Sequence, residues 1–326
     1  MMSISMKRMM LILTVLALST VSCSDSSSRL RQTNNVRHID MVVKMNKGYY
    51  WNTVKMGAEV AAKEFNVELT FVGPESEKDI KGQIGMVDDS IARQVDAIIL
   101  AASDYMKLAQ VTDRAAFHKI PVISMDSEVA SARITSYVGT NNYEAGQKAA
   151  KRLIELIGQR GSVGVVSFVE GAKNADERAE GLKDYIARYP DIRLVDIVYC
   201  GSDEQLAARL TSKMVQENPD LRGIISLNEV ASIGVAQEVQ RLGLQDQVKL
   251  ITFDSPPAVI EMLQEGIVQA MVIQNPFSNG YLAIQHAVEA IEGIDGPERV
   301  DTGSKLIDLD NMLWPENQKQ LFPFVK

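Results

Sequence analysis

Hydrogen-bonding side chains follow nearly every short apolar run of this 326-residue chain. Asp126 and Asp254 each come directly after such a run, and Asn228 and Gln274 follow two others. Arg178 is the last residue of a polar segment that follows another apolar run. Carboxylates accept hydrogen bonds, amides both donate and accept them, and a guanidinium group only donates. A set of this kind can satisfy a small ligand that carries many hydroxyl groups.

Aromatic residues stand close to the end of the first apolar run. That run ends near Lys44, and Tyr49, Tyr50 and Trp51 follow within a few residues. Aromatic rings can pack on the C–H faces of a sugar ring while polar groups around its rim bind the hydroxyls. The combination therefore indicates a pocket for a sugar.

The same residues also have ordinary structural explanations. Asp126 and Asp254 could cap helices that follow them, because aspartate is a favoured N-cap residue. Arg178 has acidic neighbours and could form a surface ion pair. Lys44 could extend to solvent, and part of the aromatic trio could belong to the core. The sequence alone leaves these alternatives open.

The elements that must position these residues alternate between strand and helix. A stripe at Ile80, Ile84, Val87 and Ile91 has helical spacing, and short buried runs lie on either side of it. Such alternation predicts an α/β fold with parallel sheets and helices on both faces. Ligands in these folds bind beyond the carboxyl ends of the strands. The predicted strands are 39–45, 69–72, 97–101, 121–125, 162–168, 194–199, 223–227, 248–253 and 268–273.

Strands in this number divide into two sheets of ordinary width. We therefore predict two doubly wound lobes joined by a three-segment hinge, with crossings near residues 139–141, 274–276 and 301–303. The cleft would lie between the lobes. The predicted N-terminal lobe comprises residues 38–140 plus 275–302, and the predicted C-terminal lobe comprises residues 141–274 plus 303–326.

The first residues of the chain predict export. A positive pair, Lys7 and Arg8, precedes a short apolar run, and small residues then lead to Cys23. This order is typical of a secretory signal peptide, here residues 1–22, and the cysteine resembles the lipidated residue of a bacterial lipobox. Residues 23–37 would form a polar tether. An ordinary cleaved signal with an incidental cysteine is the alternative. We expect a lipid-anchored extracytoplasmic protein whose only membrane contact is the anchor.

Composition and charge exclude several other classes. The net charge of -8 argues against a nucleic-acid partner, because no basic excess is present to neutralise phosphates. Cys200 is the only cysteine besides Cys23, so no intramolecular disulfide is expected. The three histidines have no metal-ligand spacing. We also find no phosphate loop and no nucleophile elbow. We therefore expect no metal, no cofactor and no enzymatic activity.

Several short motifs recur in a characteristic order between residues 39 and 291. They are Tyr50-Trp51, residues 121–127, residues 139–146, residues 174–181, residues 227–229 and Phe253-Asp254. In this order they resemble the type I periplasmic substrate-binding proteins of the ribose-binding kind, which capture ligands for sugar ABC transporters. The resemblance implies a monosaccharide or similar polyol as ligand, a membrane permease as partner and a monomeric state. Ligand binding for a chemoreceptor or a sensor kinase is the alternative.

The resemblance also implies roles for individual residues. The two strand-end aspartates would accept hydrogen bonds from sugar hydroxyls, the arginine would reach the ring oxygen, and the amides would bind further hydroxyls. The aromatic pair would contact the sugar ring, and an asparagine would lie at the hinge, where it can also touch the ligand. These positions are Asp126, Asp254, Arg178, Asn228, Gln274, Tyr50, Trp51 and Asn141.

This sequence departs from the ribose-binding pattern at two places. Ser127 stands where the pattern has arginine, and Lys47-Gly48 replaces an asparagine-containing segment. Lys44 could supply the missing positive donor. An Asp-Ser pair with a strand-end lysine resembles relatives that bind rhamnose or autoinducer-2, so the resemblance does not imply ribose itself.

Overall fold

A computed structural model describes residues 36–322 as two lobes, each built on a six-stranded sheet. The first sheet has the strand order β11-β5-β4-β3-β1-β2 and is parallel throughout. Its strands are β1 (Arg37–Val42), β2 (Val67–Val72), β3 (Ala97–Leu100), β4 (Val122–Met125), β5 (Ser136–Gly139) and β11 (Arg299–Asp301).

The second sheet has the order β12-β10-β9-β8-β6-β7, and only β12 runs antiparallel to its neighbour. Its strands are β6 (Gly161–Ser167), β7 (Ile192–Tyr199), β8 (Leu221–Ser226), β9 (Lys249–Phe253), β10 (Ala270–Ile273) and β12 (Lys305–Ile307). The predicted fold class, two doubly wound lobes, is confirmed.

Helices cover both faces of each sheet. The first lobe has α1 (Tyr49–Glu64), α2 (Ile80–Ala92), α3 (Ala109–Phe117) and α9 (Pro276–Ile291). The second lobe has α4 (Asn142–Leu156), α5 (Lys173–Ile186), α6 (Glu204–Glu217), α7 (Glu229–Arg241), α8 (Pro257–Gln264) and α10 (Pro315–Leu321).

Neighbouring residues of a buried strand pack into hydrophobic cores on opposite faces of the sheet. In β1, Met41 packs with α1 and α9 on one face, and Val42 packs with residues of α2 and α3 on the other. This explains why the strand is apolar at consecutive positions, as expected for a sheet covered on both sides. Among residues 36–322, no helix is long and apolar enough to span a bilayer.

The chain passes between the lobes after β5, after β10 and between β11 and β12. Asp301 links two of these crossings, because its Oδ1 accepts hydrogen bonds from the N–H groups of Asn141 at 3.0 Å and Gly303 at 2.8 Å. The Thr302 hydroxyl donates to Asn279 Oδ1 of α9 at 2.6 Å. The hinge is therefore a set of short segments held together by side chains.

Parts of the sequence prediction differ from the structure. Strands β5, β11 and β12 were not predicted, because their three or four residues include polar or charged side chains and form no apolar run like those of β3 and β10. Arg37, predicted to end the tether, begins β1 and pairs with Val67. The predicted signal peptide and Cys23 lie outside the described residues.

Glycines let helices pack closely within each lobe. A Cβ atom on Gly57 of α1 would lie 1.9 Å from the Phe277 carbonyl oxygen, and one on Gly280 of α9 would lie 2.0 Å from that of Val54. The backbones of α1 and α9 are therefore in direct contact. This contact fixes the helix that begins with the aromatic trio.

The second lobe contains an equivalent pair. A Cβ atom on Gly146 of α4 would lie 2.1 Å from the Arg178 carbonyl oxygen, and one on Gly181 of α5 would lie 2.0 Å from that of Tyr143. Arg178 is thus positioned by its own backbone against a neighbouring helix.

We expect Gly146→Ala to lower the free energy of unfolding by about 2 kcal/mol, because the new methyl group must push α5 away from α4. Gly85→Ala in α2 is the matched control, since a Cβ atom there meets nothing within 4 Å. That control should raise stability by roughly 0.5–1 kcal/mol through helix propensity. Urea unfolding of both variants tests the packing, and equal stability of the two would contradict it.

Candidate functional site

A small cavity lies between the lobes, where the carboxyl ends of the two sheets meet. All the predicted site residues except Asn141 line it: Lys44, Tyr50, Trp51, Asp126, Arg178, Asn228, Asp254 and Gln274. Its volume is only about 30 Å³, room for about two water molecules. The lobes are therefore closed on one another.

Lys44 is buried in this cavity rather than extended to solvent. It is 1% exposed, and its Nζ lies 3.3 Å from Asp126 Oδ2 and donates to Asn174 Oδ1 at 2.8 Å. Asn174 Nδ2 in turn donates to Asp126 Oδ2 at 3.1 Å. Asn174 belongs to α5 in the second lobe, so one amide connects both charges across the cleft.

Asp126 and Asp254 do not cap the helices that follow them in the chain. The turn after Asp126 leads to β5, and α8 begins after Pro256 without a side-chain cap. Both aspartates adopt left-handed backbone conformations, with φ of 61° and 64°. Non-glycine residues rarely adopt this conformation, although aspartate tolerates it better than most. The unusual backbone at both strand ends is consistent with a functional role.

Asp126 also organises the aromatic pair. The Tyr50 hydroxyl donates to Asp126 Oδ1 at 2.7 Å and accepts from Asn279 Nδ2 at 3.1 Å. Trp51 contacts Tyr50 edge to face, with 5.1 Å between ring centroids. The hydroxyl group of Tyr50 therefore holds the Asp126 carboxylate in place. Trp51 packs beside Tyr50 as the second aromatic side chain of this part of the lining.

Arg178 is almost completely buried and forms no surface ion pair with any residue of the segment 36–322. Its Nε donates to Asn142 Oδ1 at 2.9 Å, and its Nη1 donates to the Leu227 carbonyl oxygen at 2.6 Å. The guanidinium carbon lies 4.6 Å from the ring centroid of Phe253. Its buried Nη2 has no hydrogen-bond partner among the described residues. An unsatisfied buried donor is costly, and a ligand oxygen could accept from it.

Asp254 lies beside Arg178 on the second lobe. Burial raises the pKa of Asp254, and the Arg178 charge and the hydrogen bond from Gln274 partly offset this effect. Gln274 Nε2 donates to Asp254 Oδ1 at 2.7 Å. Asn228 caps α7, because its Oδ1 accepts from the Ala231 N–H at 2.9 Å. These residues form the wall opposite Lys44 and Asp126.

Asn141 lies outside the lining of the cavity. Its side chain accepts from the Glu144 N–H at 3.1 Å and so caps α4. Its neighbour Asn142 instead binds Arg178. Asn141 therefore lies at the hinge, where its N–H donates to Asp301, but its side chain caps α4 and does not line the cavity.

Four polar residues of the lining were not among the predicted site residues: Lys47, Glu77, Asn174 and Glu229. Glu77 accepts from the Ser202 hydroxyl of the opposite lobe at 2.7 Å, and burial raises its pKa. Glu77 follows β2, and Glu229 directly follows Asn228, so position relative to strand ends was the signal available. Asn174 is the first residue of the motif at residues 174–181.

A larger cavity of about 270 Å³ adjoins the first and shares Tyr50, Asp254 and Gln274 with it. Residues 36–322 contain no group of three or more His, Cys, Asp or Glu residues arranged to hold a metal ion.

Comparisons with known proteins agree with this architecture. Residues 39–295 match the family described as "Periplasmic binding protein domain". The D-allose-binding periplasmic protein of Escherichia coli K12 is 26% identical over 260 residues, covering 77% of this chain and 83% of the relative. The D-ribose/D-allose-binding protein of Pseudomonas aeruginosa is 26% identical, covering 80% of this chain and 84% of the relative.

Solved structures show the same similarity. A carbohydrate transporter solute-binding protein from Agrobacterium radiobacter, in complex with D-arabinose, has a TM-score of 0.86 and 28% identity, covering 88% of this chain and 99% of that one. An ABC transporter solute-binding protein from Agrobacterium vitis, with bound D-fucose, has a TM-score of 0.85 and 29% identity, covering 87% and 99%.

We expect Lys44→Met to lower the free energy of unfolding by about 3 kcal/mol, because it leaves the buried Asp126 carboxylate without its counter-charge. The double variant with Asp126→Asn should lose less stability than the sum of the two single variants, since it removes both charges together. Urea unfolding of the three variants measures this coupling. Strict additivity would show that the pair does not interact.

Proposed function

The chain belongs to the periplasmic binding protein domain family, and on that premise we propose that it captures a monosaccharide between its lobes for an ABC transporter permease. The observation that carries the proposal is the cavity, whose polar groups come from both sheets. Asp126 and Lys44 stand on one side, and Asp254 and Arg178 on the other. We propose no catalytic step.

The chemistry of the lining favours a neutral polyol. Carboxylates and amide oxygens accept from hydroxyl groups, and the Arg178 guanidinium and Lys44 ammonium groups donate to hydroxyl or ring oxygens. Trp51 and Phe168 add aromatic surface to the same cavity. By their names, the two relatives bind D-allose and D-ribose. The two solved structures contain D-arabinose and D-fucose. We extend this class of ligand to the present chain.

We assign each residue a role in this complex. Asp126 and Asp254 accept from hydroxyls on opposite sides of the sugar, and Arg178 donates through its unpaired Nη2. Asn228 and Gln274 form hydrogen bonds with further hydroxyls. Tyr50 holds Asp126 in place, while Trp51 packs on the ring; Asn141 acts only as the cap of α4.

Lys44 takes the part of the arginine that the ribose-binding pattern places after the strand-end aspartate. Ser127 is buried but does not line the cavity, whereas the Lys44 ammonium lies beside Asp126. A compact ammonium donates to a single oxygen more readily than it forms a bidentate contact. The preferred hydroxyl arrangement should therefore differ from that of a site with an arginine here.

Closure of the lobes around the sugar would signal occupancy to the permease. The ligand selects the state in which both lobes contact it, because only that state satisfies both halves of the site. We further propose a monomer in the extracytoplasmic space, held to the membrane by lipid on Cys23.

Binding is tested by a thermal-shift screen with ribose, allose, arabinose, fucose, galactose, glucose, xylose, rhamnose and an autoinducer-2 precursor. A ligand well above its dissociation constant should raise the melting temperature by several degrees. The absence of any shift across the panel would count against a monosaccharide ligand.

Arg178→Gln should weaken the binding of any sugar found in this way by roughly 10- to 100-fold, because the charged donor to the ligand is lost. Isothermal titration calorimetry measures the change. Arg193→Gln is the matched control, since Arg193 pairs with Asp220 at 3.0 Å on the surface of the same lobe. Equal affinities of the two variants would contradict the role of Arg178.

The anchor is tested separately. Cys23→Ser should move the protein from the membrane fraction to the soluble extracytoplasmic fraction and abolish incorporation of labelled fatty acid. Unchanged membrane association would contradict lipidation of Cys23.

A further inference from the structure

Helix α1 begins without a cap of its own. Gly48 occupies the N-cap position with a φ of 106° and offers no side chain, and the first turn contains no acidic residue. The first N–H groups of a helix have no partner within the helix and need one elsewhere. For α1, that partner comes from the other lobe.

Glu229 of α7 accepts from both of the first N–H groups. The Tyr49 N–H donates to Glu229 Oε1 at 2.8 Å, and the Tyr50 N–H donates to Oε2 at 2.6 Å. Glu229 is buried, with 7% of its surface exposed. A single carboxyl group therefore caps a helix across the cleft.

The approach is close enough to require glycine. A Cβ atom on Gly48 would lie 3.1 Å from Glu229 Oε1, and the backbone there is in the region that glycine adopts most readily. Glu229 is also the first residue of α7, after the Asn228 cap. Two helix N-termini, one from each lobe, thus meet at the same carboxyl group, and each favours negative charge near it.

We propose that Glu229 is a positioning residue for lobe closure, which holds the lobes together by capping α1 across the cleft whether or not a ligand is bound. The inference rests on the proposed function only in requiring lobes that open and close. Opening the cleft would separate Glu229 from α1 and leave both N–H groups to water. Glu229 therefore sets the fraction of unliganded protein that is closed. That fraction determines how much of the free energy of ligand binding must go into closing the lobes.

The protonation of Glu229 should depend on closure. Burial raises its pKa to about 7, the nearby Asp254 charge adds to this effect, and the hydrogen bonds from Tyr50 and Tyr49 oppose it. In the open state the carboxyl group is hydrated and its pKa returns toward the ordinary value. The charged and titratable groups that share a cavity lining or a hydrogen bond with Glu229 are Lys44, Lys47, Tyr49, Tyr50, Glu75, Glu77, Lys78, Asp126, Arg178, Asp203, Glu204 and Asp254.

The sign of the pH effect follows from this difference. A carboxyl group with a higher pKa in the closed state takes up a proton on closing, so closure strengthens as the pH falls through about 7. Burial also raises the pKa values of Asp254 and Glu77, which act in the same direction. Removing Glu229 should therefore reduce the pH dependence of closure without abolishing it.

Trp51 reports closure without added sugar. It is 4% exposed in the closed cleft, and the chain has one other tryptophan, Trp314, which is 54% exposed. In a Trp314→Phe background, acrylamide quenching of fluorescence measures access to Trp51. Small-angle scattering of the same samples gives the radius of gyration.

Glu229→Ala should shift the closure equilibrium toward the open state by roughly five- to tenfold, as expected for the loss of a helix cap. Quenching and radius should both rise. Glu238→Gln is the matched control, because Glu238 lies on the same helix and binds Arg241 within one lobe at 2.6 Å. Values for Glu229→Ala equal to those of the wild type or of this control would overturn the proposal.

Glu229→Gln keeps the shape of the side chain but cannot titrate. Between pH 8 and pH 5, closure of the wild type should strengthen by roughly tenfold or more, and this variant should show a clearly smaller change. Circular dichroism confirms that each variant is folded before it is scored. Identical pH profiles for the wild type and Glu229→Gln would overturn the proposal, whether or not any sugar binds.

Discussion

The burial of Lys44 beside Asp126 is the constraint on which the arrangement of the site depends. Neither charge can be buried alone without a large desolvation cost, so the first lobe must hold the two together at the ends of its strands. Even paired, they keep hydrogen-bonding capacity. In the closed structure Asn174 of the other lobe takes up part of it. Water in an open cleft, or hydroxyl groups of a sugar, can form hydrogen bonds with the same Lys44 and Asp126 side chains. Lobe closure and ligand binding therefore use the same hydrogen-bonding groups.

Rigid lobes make this exchange possible. Helix α1 is fixed against α9 at Gly57, and α5 is fixed against α4 at Gly146, in each case by direct contact between backbones. The aromatic pair and Arg178 therefore move with their lobes rather than independently. Any opening of the cleft must bend the short crossings between the lobes, where Asp301 joins two of the three segments.

The features that could be predicted from the sequence are those with a local signal. Apolar runs revealed the main strands, and the residues after them included most of the cavity lining. Glu77, Asn174 and Glu229 were not singled out as site residues, because their position near strand ends does not reveal partners that lie on the opposite lobe, far away in sequence. Asn141 and Asn142 show the same limit: both are asparagines at the start of α4, and only helix geometry decides that one caps the helix while the other binds Arg178.

The strand-end aspartates of the two lobes, Asp126 and Asp254, have the same backbone geometry. The Asp126 N–H donates to the Val138 carbonyl oxygen, and the Asp254 N–H donates to that of Val272, both at 3.0 Å. Each aspartate is itself the left-handed residue at which the chain turns. This geometry places two carboxylates on opposite walls, where their charges repel. Each wall carries its own cation: Lys44 lies beside Asp126, and the Arg178 charge counteracts the rise in the pKa of Asp254. Opening therefore leaves each of these two carboxylates beside the cation of its own lobe. The contacts that opening breaks include hydrogen bonds across the cleft, such as those of Asn174 and Glu229, and a ligand with many hydroxyl groups can form hydrogen bonds with groups on both walls.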